Sequence, residues 1–267
     1  MRIPVVHHRV RRRRARRRRV LWCGAELLVT AGVLGLLLVV HQMWWTNREA
    51  RKGADRKVAA LEREWANGGD ANPGTGTGPG SGHADGPGHA DGPGRDNGPA
   101  RGPGSTVDGP PPPRPAPSQA YAVLTIPRLD LRAPVAEGTG KRDVLDKGYA
   151  GHYTGTQQPG QTGNFALAGH RNTHGEPFRH LDRLRPKDRI EVETAGAIHT
   201  YVVDEVLPRT SPRDTGVIRP VPRSTAGPAH GYDVPGRYLT LTTCTPEFSS
   251  RYRLVVWAEL ISTRVRS

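Results

Sequence analysis

Cysteine is almost absent from this chain, with two thiols in 267 residues. Acidic residues are missing altogether from residues 1–19, which hold ten arginines. Residues 67–117 contain almost nothing apolar, and only one long apolar run occurs anywhere, near the N-terminus. Each shortage excludes something. The formal net charge of +14 would suit a nucleic-acid partner if it were spread over a folded surface. Instead +10 of it sits in residues 1–19, while residues 20–117 sum to −1 and residues 118–267 to +5. Membrane topology accounts for such a terminal arginine block, so no nucleic acid is expected as a partner.

The single apolar run, "VLWCGAELLVTAGVLGLLLVVHQMWW", follows the arginines directly. From Trp22 to Trp44 a helix rises about 33 Å, close to the hydrocarbon thickness of a bilayer. Trp22, Trp44 and Trp45 fall where interfacial aromatic belts belong, and Glu26 lies within reach of the headgroups. A secretory signal also begins basic and continues apolar, but no small-residue cleavage site follows this run. Residues 20–45 therefore read as a transmembrane helix. Residues 1–19 stay cytoplasmic by the positive-inside rule, and everything after Trp45 lies outside the cell. Cys23, inside the span, is an apolar filler that cannot meet Cys244, so no intramolecular disulfide forms. Cys244 is left as a free thiol in an extracytoplasmic domain, where unpaired thiols need a reason.

Residues 46–66 form a charged, moderately helical juxtamembrane stalk, read as a solvated spacer. Residues 67–117 are Gly/Pro-rich, carry "GHADGP" twice and close on "PPPPRPAP". Such a segment cannot bury a core and reads as a disordered linker, with a reach on the order of 40 Å. His83 and His89 belong to the tandem repeat, and no metal is expected there. Patterning resumes at Ala120, and residues 118–267 are enough for one independently folding domain. Its apolar runs are short and strand-like: "YAVLTIPRLDL", "APVAEG", "NFALAGH", "RIEVETAG", "IHTYVVDEVLPR", "RYLTLTTCT" and "RLVVWAELIST". Only "EPFRHLDRL" and "RDVLDKG" suggest short helical turns. Seven or eight such strands point to an all-β closed barrel or sandwich.

Cys244 ends one strand and Arg253 begins the next. A cysteine becomes a useful nucleophile when a neighbour stabilises the thiolate and moves protons. Among the histidines of this domain, His170 ends the strand "NFALAGH" at the mouth of the polar loop "RNTHGEPF", the usual place for a catalytic group. Each feature alone is weak.

Taken together, Ala168-Gly169-His170, Thr240-Leu241-Thr242-Thr243-Cys244 and Arg253 resemble the sortases, cysteine transpeptidases of Gram-positive cell surfaces. Arg253 fits the family's arginine better than Arg251, because "LVV" follows it. "KGYAGHYTGTQQPGQTGNFALAGHRNTHGEPF" is closest to class E, the housekeeping type of high-GC actinobacteria, and 34 arginines against five lysines suit such a genome. The resemblance implies an eight-stranded β-barrel with Cys244 as nucleophile, His170 as acid/base and Arg253 as oxyanion donor. Substrates would be secreted proteins with a C-terminal Leu-Ala-x-Thr-Gly-like sorting signal, cleaved between Thr and Gly. The acceptor would be an amine of a peptidoglycan precursor resembling lipid II. Tyr153 and Thr243 are the substrate-binding candidates, Tyr153 for the signal's second residue; a barrel-surface tyrosine is an equal reading of it. Neither metal nor organic cofactor is expected, since no acidic cluster suggests calcium. Pilin-polymerising class C sortases share "TCTP" but normally add a C-terminal membrane segment, which this chain is not expected to have. That class, a cysteine hydrolase on the same fold and a catalytically silent anchored scaffold are the alternatives.

Overall fold

The computed structural model describes residues 8–68 and 114–266. Most of the expected linker thus lies outside the described residues. A helix, α1 (His8–Gly68), is followed by eight strands: β1 (Ala120–Ile126), β2 (Leu131–Glu137), β3 (Ala150–His152), β4 (Gly163–Ala168), β5 (Arg189–Thr194), β6 (Ala197–Thr210), β7 (Arg237–Thr245) and β8 (Tyr252–Val265). The strands close into a barrel in the order β1-β2-β3-β4-β7-β8-β6-β5. The all-β expectation holds, and closure leaves no exposed sheet edge. The two expected helical turns are single 3-10 turns, Leu145–Lys147 and Leu181–Arg183.

Alternation builds the barrel. In "YLTLTTC" the leucines 239 and 241 point inward, joining Phe165, Leu167, Leu124, Ile190, Tyr201 and Val256 in the main core. The intervening threonines 240 and 242 face outward yet are also buried, Thr240 beneath Val217 of the connection between β6 and β7 and Thr242 against the Tyr153 hydroxyl. Thr240 donates to Asn164 Oδ1 at 2.8 Å, and its hydroxyl also lies 3.2 Å from the Val217 carbonyl. Trp257 Nε1 reaches the same Val217 carbonyl, and Val217 packs with Leu207, Val255 and Trp257. A buried outward face that must satisfy backbone groups favours threonine over valine there.

Asp214 staples this long connection. Its carboxylate accepts hydrogen bonds from the hydroxyls of Thr210, Ser224 and Thr225 and from the Thr225 backbone N–H, at 2.5–2.8 Å. Burial alone would raise its pKa, but those four donors outweigh it and hold the carboxyl down at about 2.

The stalk differs from the solvated spacer expected of it. α1 continues unbroken through residue 68, and Ala54, Val58 and Leu61 are buried with Trp65 beside them. Spacings of four, three and four residues put these side chains on one face. That face covers Ala120, Val123, Ala136 and Val144 on the outside of the barrel. Residues 21–42 of the same helix are almost entirely exposed. This part of α1 is long and apolar enough to cross a membrane.

Candidate active site

Two strand neighbours bring the three chemistry-bearing residues together. β4 and β7 run parallel, with Ala168 opposite Thr242 as the last paired residues. The ladder continues one step further, Gly169 donating its N–H to the Thr242 carbonyl at 3.1 Å. Two residues beyond Ala168 is His170; two beyond Thr242 is Cys244. The register therefore carries them to the same barrel end on adjacent strands, whose usual separation is about 4.8 Å. On the other side of β7, Cys244 is the direct antiparallel partner of Arg253 on β8. Cys244 lies between a histidine and an arginine.

The local sequence explains the placement. A Cβ on Gly169 would come within 2.6 Å of the Phe178 ring, so only glycine lets the chain pass this close before His170. Phe178 in turn donates its N–H to the His170 carbonyl. Thr243 is buried and donates its hydroxyl to the Gly169 carbonyl at 2.8 Å, tying the two strand ends. Arg171 adds a second tie, its guanidinium reaching Thr245 Oγ1 at 3.0 Å and the Cys244 carbonyl at 3.4 Å.

His170 and Cys244 are both partly exposed, as groups that meet a substrate must be. His170 Nε2 lies 2.8 Å from Asp146 Oδ1, and its ring stacks on His174 with centroids 5.3 Å apart. A carboxylate on one imidazole nitrogen fixes ring orientation and tautomer. The Asp146, His170 and His174 donor atoms lie within 4.8 Å of one another, a spacing that could hold a metal ion.

Arg253 is held by carbonyls instead of carboxylates: its Nη1 donates to Ser250 and Tyr252 oxygens at 2.9 and 3.0 Å. No salt-bridge partner occurs for it among the described residues. Its charge is thus left for another anion. Arg251 is placed differently, exposed and stacked over the Tyr252 ring. Tyr153 lies on the far side of β4, where its hydroxyl meets Thr242 Oγ1 at 3.0 Å. The five residues singled out in the sequence are gathered around the ends of β4, β7 and β8. Asp146 and Arg171 were not singled out. Asp146 sits in a stretch read only as a helical turn, and Arg171 directly after the histidine read only as loop.

Comparison with known proteins points to one family. The family model described as the Sortase domain matches residues 124–261. Sortase SrtE1 of Streptomyces coelicolor is 40% identical over 247 residues, covering 91% of this chain and 57% of that protein. Sortase SrtE2 of the same organism is 34% identical, covering 89% of this chain and 81% of the relative. Thus the chain spans little more than half the length of the first relative and most of the second. Among solved structures, a crystal structure of Sortase E1 from Streptomyces coelicolor with a tripeptide in its active site superposes with TM-score 0.53. It is 48% identical and covers 57% of this chain and 94% of the other.

Proposed function

This chain belongs to the sortase family, and on that basis we propose that it is a membrane-anchored cysteine transpeptidase of the class E type. The observation that carries the reading is the placement of Cys244 between the end of β4 and the start of β8.

Chemistry follows from the three positions. Cys244 passes its thiol proton to His170 as its Sγ attacks the Thr–Gly carbonyl carbon of a sorting signal, and the carbonyl electrons move onto oxygen. Arg253, which has no carboxylate partner among the described residues, donates hydrogen bonds to that oxyanion and to the substrate backbone. Collapse expels the glycine amine, which takes its proton from His170, leaving a thioacyl enzyme. An incoming amine then attacks the thioester and gives a proton to His170, the carbon–sulfur bond breaks as the amide forms, and His170 returns the proton to the released Cys244 sulfur. Asp146 keeps the imidazole in position through both transfers.

The substrates are secreted proteins carrying an LAxTG-like C-terminal signal, and the acceptor is an amine of a lipid II-like cell-wall precursor. Tyr153 contributes to the surface that reads the signal's second residue. Thr243 contributes from the opposite face of β7, its hydroxyl fixing the Gly169 carbonyl and so the strand ends that flank the nucleophile. The exposed apolar part of α1 anchors the chain, with residues 1–19 cytoplasmic and the barrel outside.

The test is to incubate the protein with signal peptides differing at the second position, together with an amine acceptor. Acceptor-linked product supports transpeptidation. Release of the free acid alone would make the protein a hydrolase on this fold, and absence of cleavage would make it a scaffold.

A further inference from the structure

The apolar stretch and the docked stalk belong to one unbroken helix, α1. The direction of the membrane span is therefore also the direction along which the barrel is held. Contacts with the barrel begin very early on that helix. Asn47 lies two residues beyond Trp45, about 3 Å of rise. Its Nδ2 donates to Glu176 Oε1 at 2.7 Å, and its Oδ1 accepts from the Gly175 N–H at 3.2 Å. One turn on, Arg51 donates to the Gly175 carbonyl and to Glu176 Oε2, both at 3.0 Å.

These bonds fall on the loop that leaves His170. His174, Gly175 and Glu176 carry φ values of 52°, 84° and 53° in succession. Two of the three are non-glycine residues in the left-handed region, which costs free energy unless surrounding contacts hold it. Glu176 is buried and takes hydrogen bonds from Asn47, Arg51 and Arg179. Arg179 passes the link on to Glu247, in the hairpin between Cys244 and Arg253. Both strand ends of the active site are thereby fastened to the first turns of α1 beyond Trp45.

The other end of the barrel meets the helix much farther out. Arg266 stacks over Trp65, and its N–H bonds the Gly196 carbonyl in the β5–β6 turn. From residue 47 to residue 65 the axis rises about 27 Å. Between them the stripe of Ala54, Val58 and Leu61 packs on the barrel wall, so the helix is docked along its whole outer length.

We propose that α1 is a fixed strut that seats the Cys244–His170 end of the barrel at the bilayer surface. The acceptor amine is then met at headgroup level, carried by a lipid-linked molecule, and not out in the wall. The choice of an amine acceptor rests on the transpeptidase reading; the placement itself does not. On this view residues 67–117 give the active site no reach, because the residues on both sides of that segment belong to one packed body.

A depth measurement on the full chain tests this. In a Cys23→Ala, Cys244→Ala background, a single dye is attached at Phe248→Cys or at Ala195→Cys. Phe248 is exposed in the hairpin next to Glu247, and Ala195 is exposed in the turn beside Gly196. The labelled proteins are placed in phosphatidylcholine–phosphatidylglycerol vesicles containing a nitroxide-headgroup lipid, which quenches only near contact. Quenching at position 248 should exceed that at 195 several-fold. Equal or reversed quenching would overturn the proposal. Adding Asn47→Ala and Arg51→Ala should shrink the difference; an undiminished difference would show that these bonds do not set the seat. Since the background lacks Cys244, failure here would leave the transpeptidase chemistry standing, and failure of the peptide assay would leave the depth result standing.

Discussion

Cys244 and Arg253 are direct antiparallel partners at the end of the β7–β8 ladder, while Arg251 lies out in the hairpin over the Tyr252 ring. Only the first arginine is fixed by sheet register beside the nucleophile. Arg253→Lys keeps the charge but loses the planar fork. We expect kcat to fall on the order of 10²-fold, as for other oxyanion donors. Arg251→Ala should stay near wild type. Steady-state kinetics on both variants decides it, and a larger loss from Arg251→Ala would overturn the assignment.

Cys244→Ala should abolish cleavage and transfer together while far-UV circular dichroism and the melting temperature stay close to wild type. The side chain is only partly buried, and the tie from Arg171 uses its carbonyl, not its sulfur. Retained amide-bond cleavage in that variant would remove the mechanism.

The barrel was legible because short apolar runs recur between turn signals; "RIEVET" and "YLTLTTC" also alternate with period two, the second even where both faces are buried. β3, three residues long, was missed, since Ala150–His152 is too short to show any period. Cys244, His170 and Arg253 could be found because each stands at the edge of an apolar run. Asp146 could not, for its partnership with His170 spans 24 residues and depends on how two loops fold back. The stalk face was legible and passed over: Ala54, Val58, Leu61 and Trp65 repeat at helical spacing among arginines, lysines and glutamates that dominate the composition. Charge density argued for solvent, and the periodic stripe argued for a partner. The stripe decided.

Asp146 is expected to act by positioning. Asp146→Asn keeps the volume but takes the carboxylate from His170 Nε2, which frees the imidazole to adopt the wrong tautomer. A fall in kcat on the order of 10²-fold with KM little changed is the expected result. A change confined to KM, or to thermal stability, would give Asp146 a different role.

Asp214 gives a stability prediction with a definite sign. Its folded pKa of about 2 lies below the ordinary 3.8, so the unfolded chain takes up the proton first as pH falls. The stabilisation is complete above about pH 4 and is lost as pH falls toward 2. The difference corresponds to about 2 kcal/mol. Asp214→Asn should therefore lower stability at neutral pH and flatten the acid limb between those values. Denaturant titrations across pH 2–6 measure both, and an unchanged acid limb would show that the four hydrogen bonds are not what depresses this carboxyl.

The domain boundary gives the last prediction. The sequence pattern marks residues 118–267 as a domain that folds by itself. The main barrel core supports that expectation, for none of its buried members comes from α1. The second cluster does not support full stability, because Val58 and Leu61 close over Val123, Ala136 and Val144. Burying such side chains is worth about 1.5–3 kcal/mol each. The shortened chain also loses Asn47 and Arg51, two of the three residues that satisfy the buried Glu176 carboxylate. A chain beginning at residue 46 should therefore melt several degrees above one beginning at 118, and should turn over signal peptides faster. The point variant Val58→Asp in the longer chain isolates the packing share, since it places a charge in the same apolar seat without deleting the helix. It should melt close to the shorter chain. Equal melting temperatures for all three would mean that the stripe rests on the barrel without stabilising it.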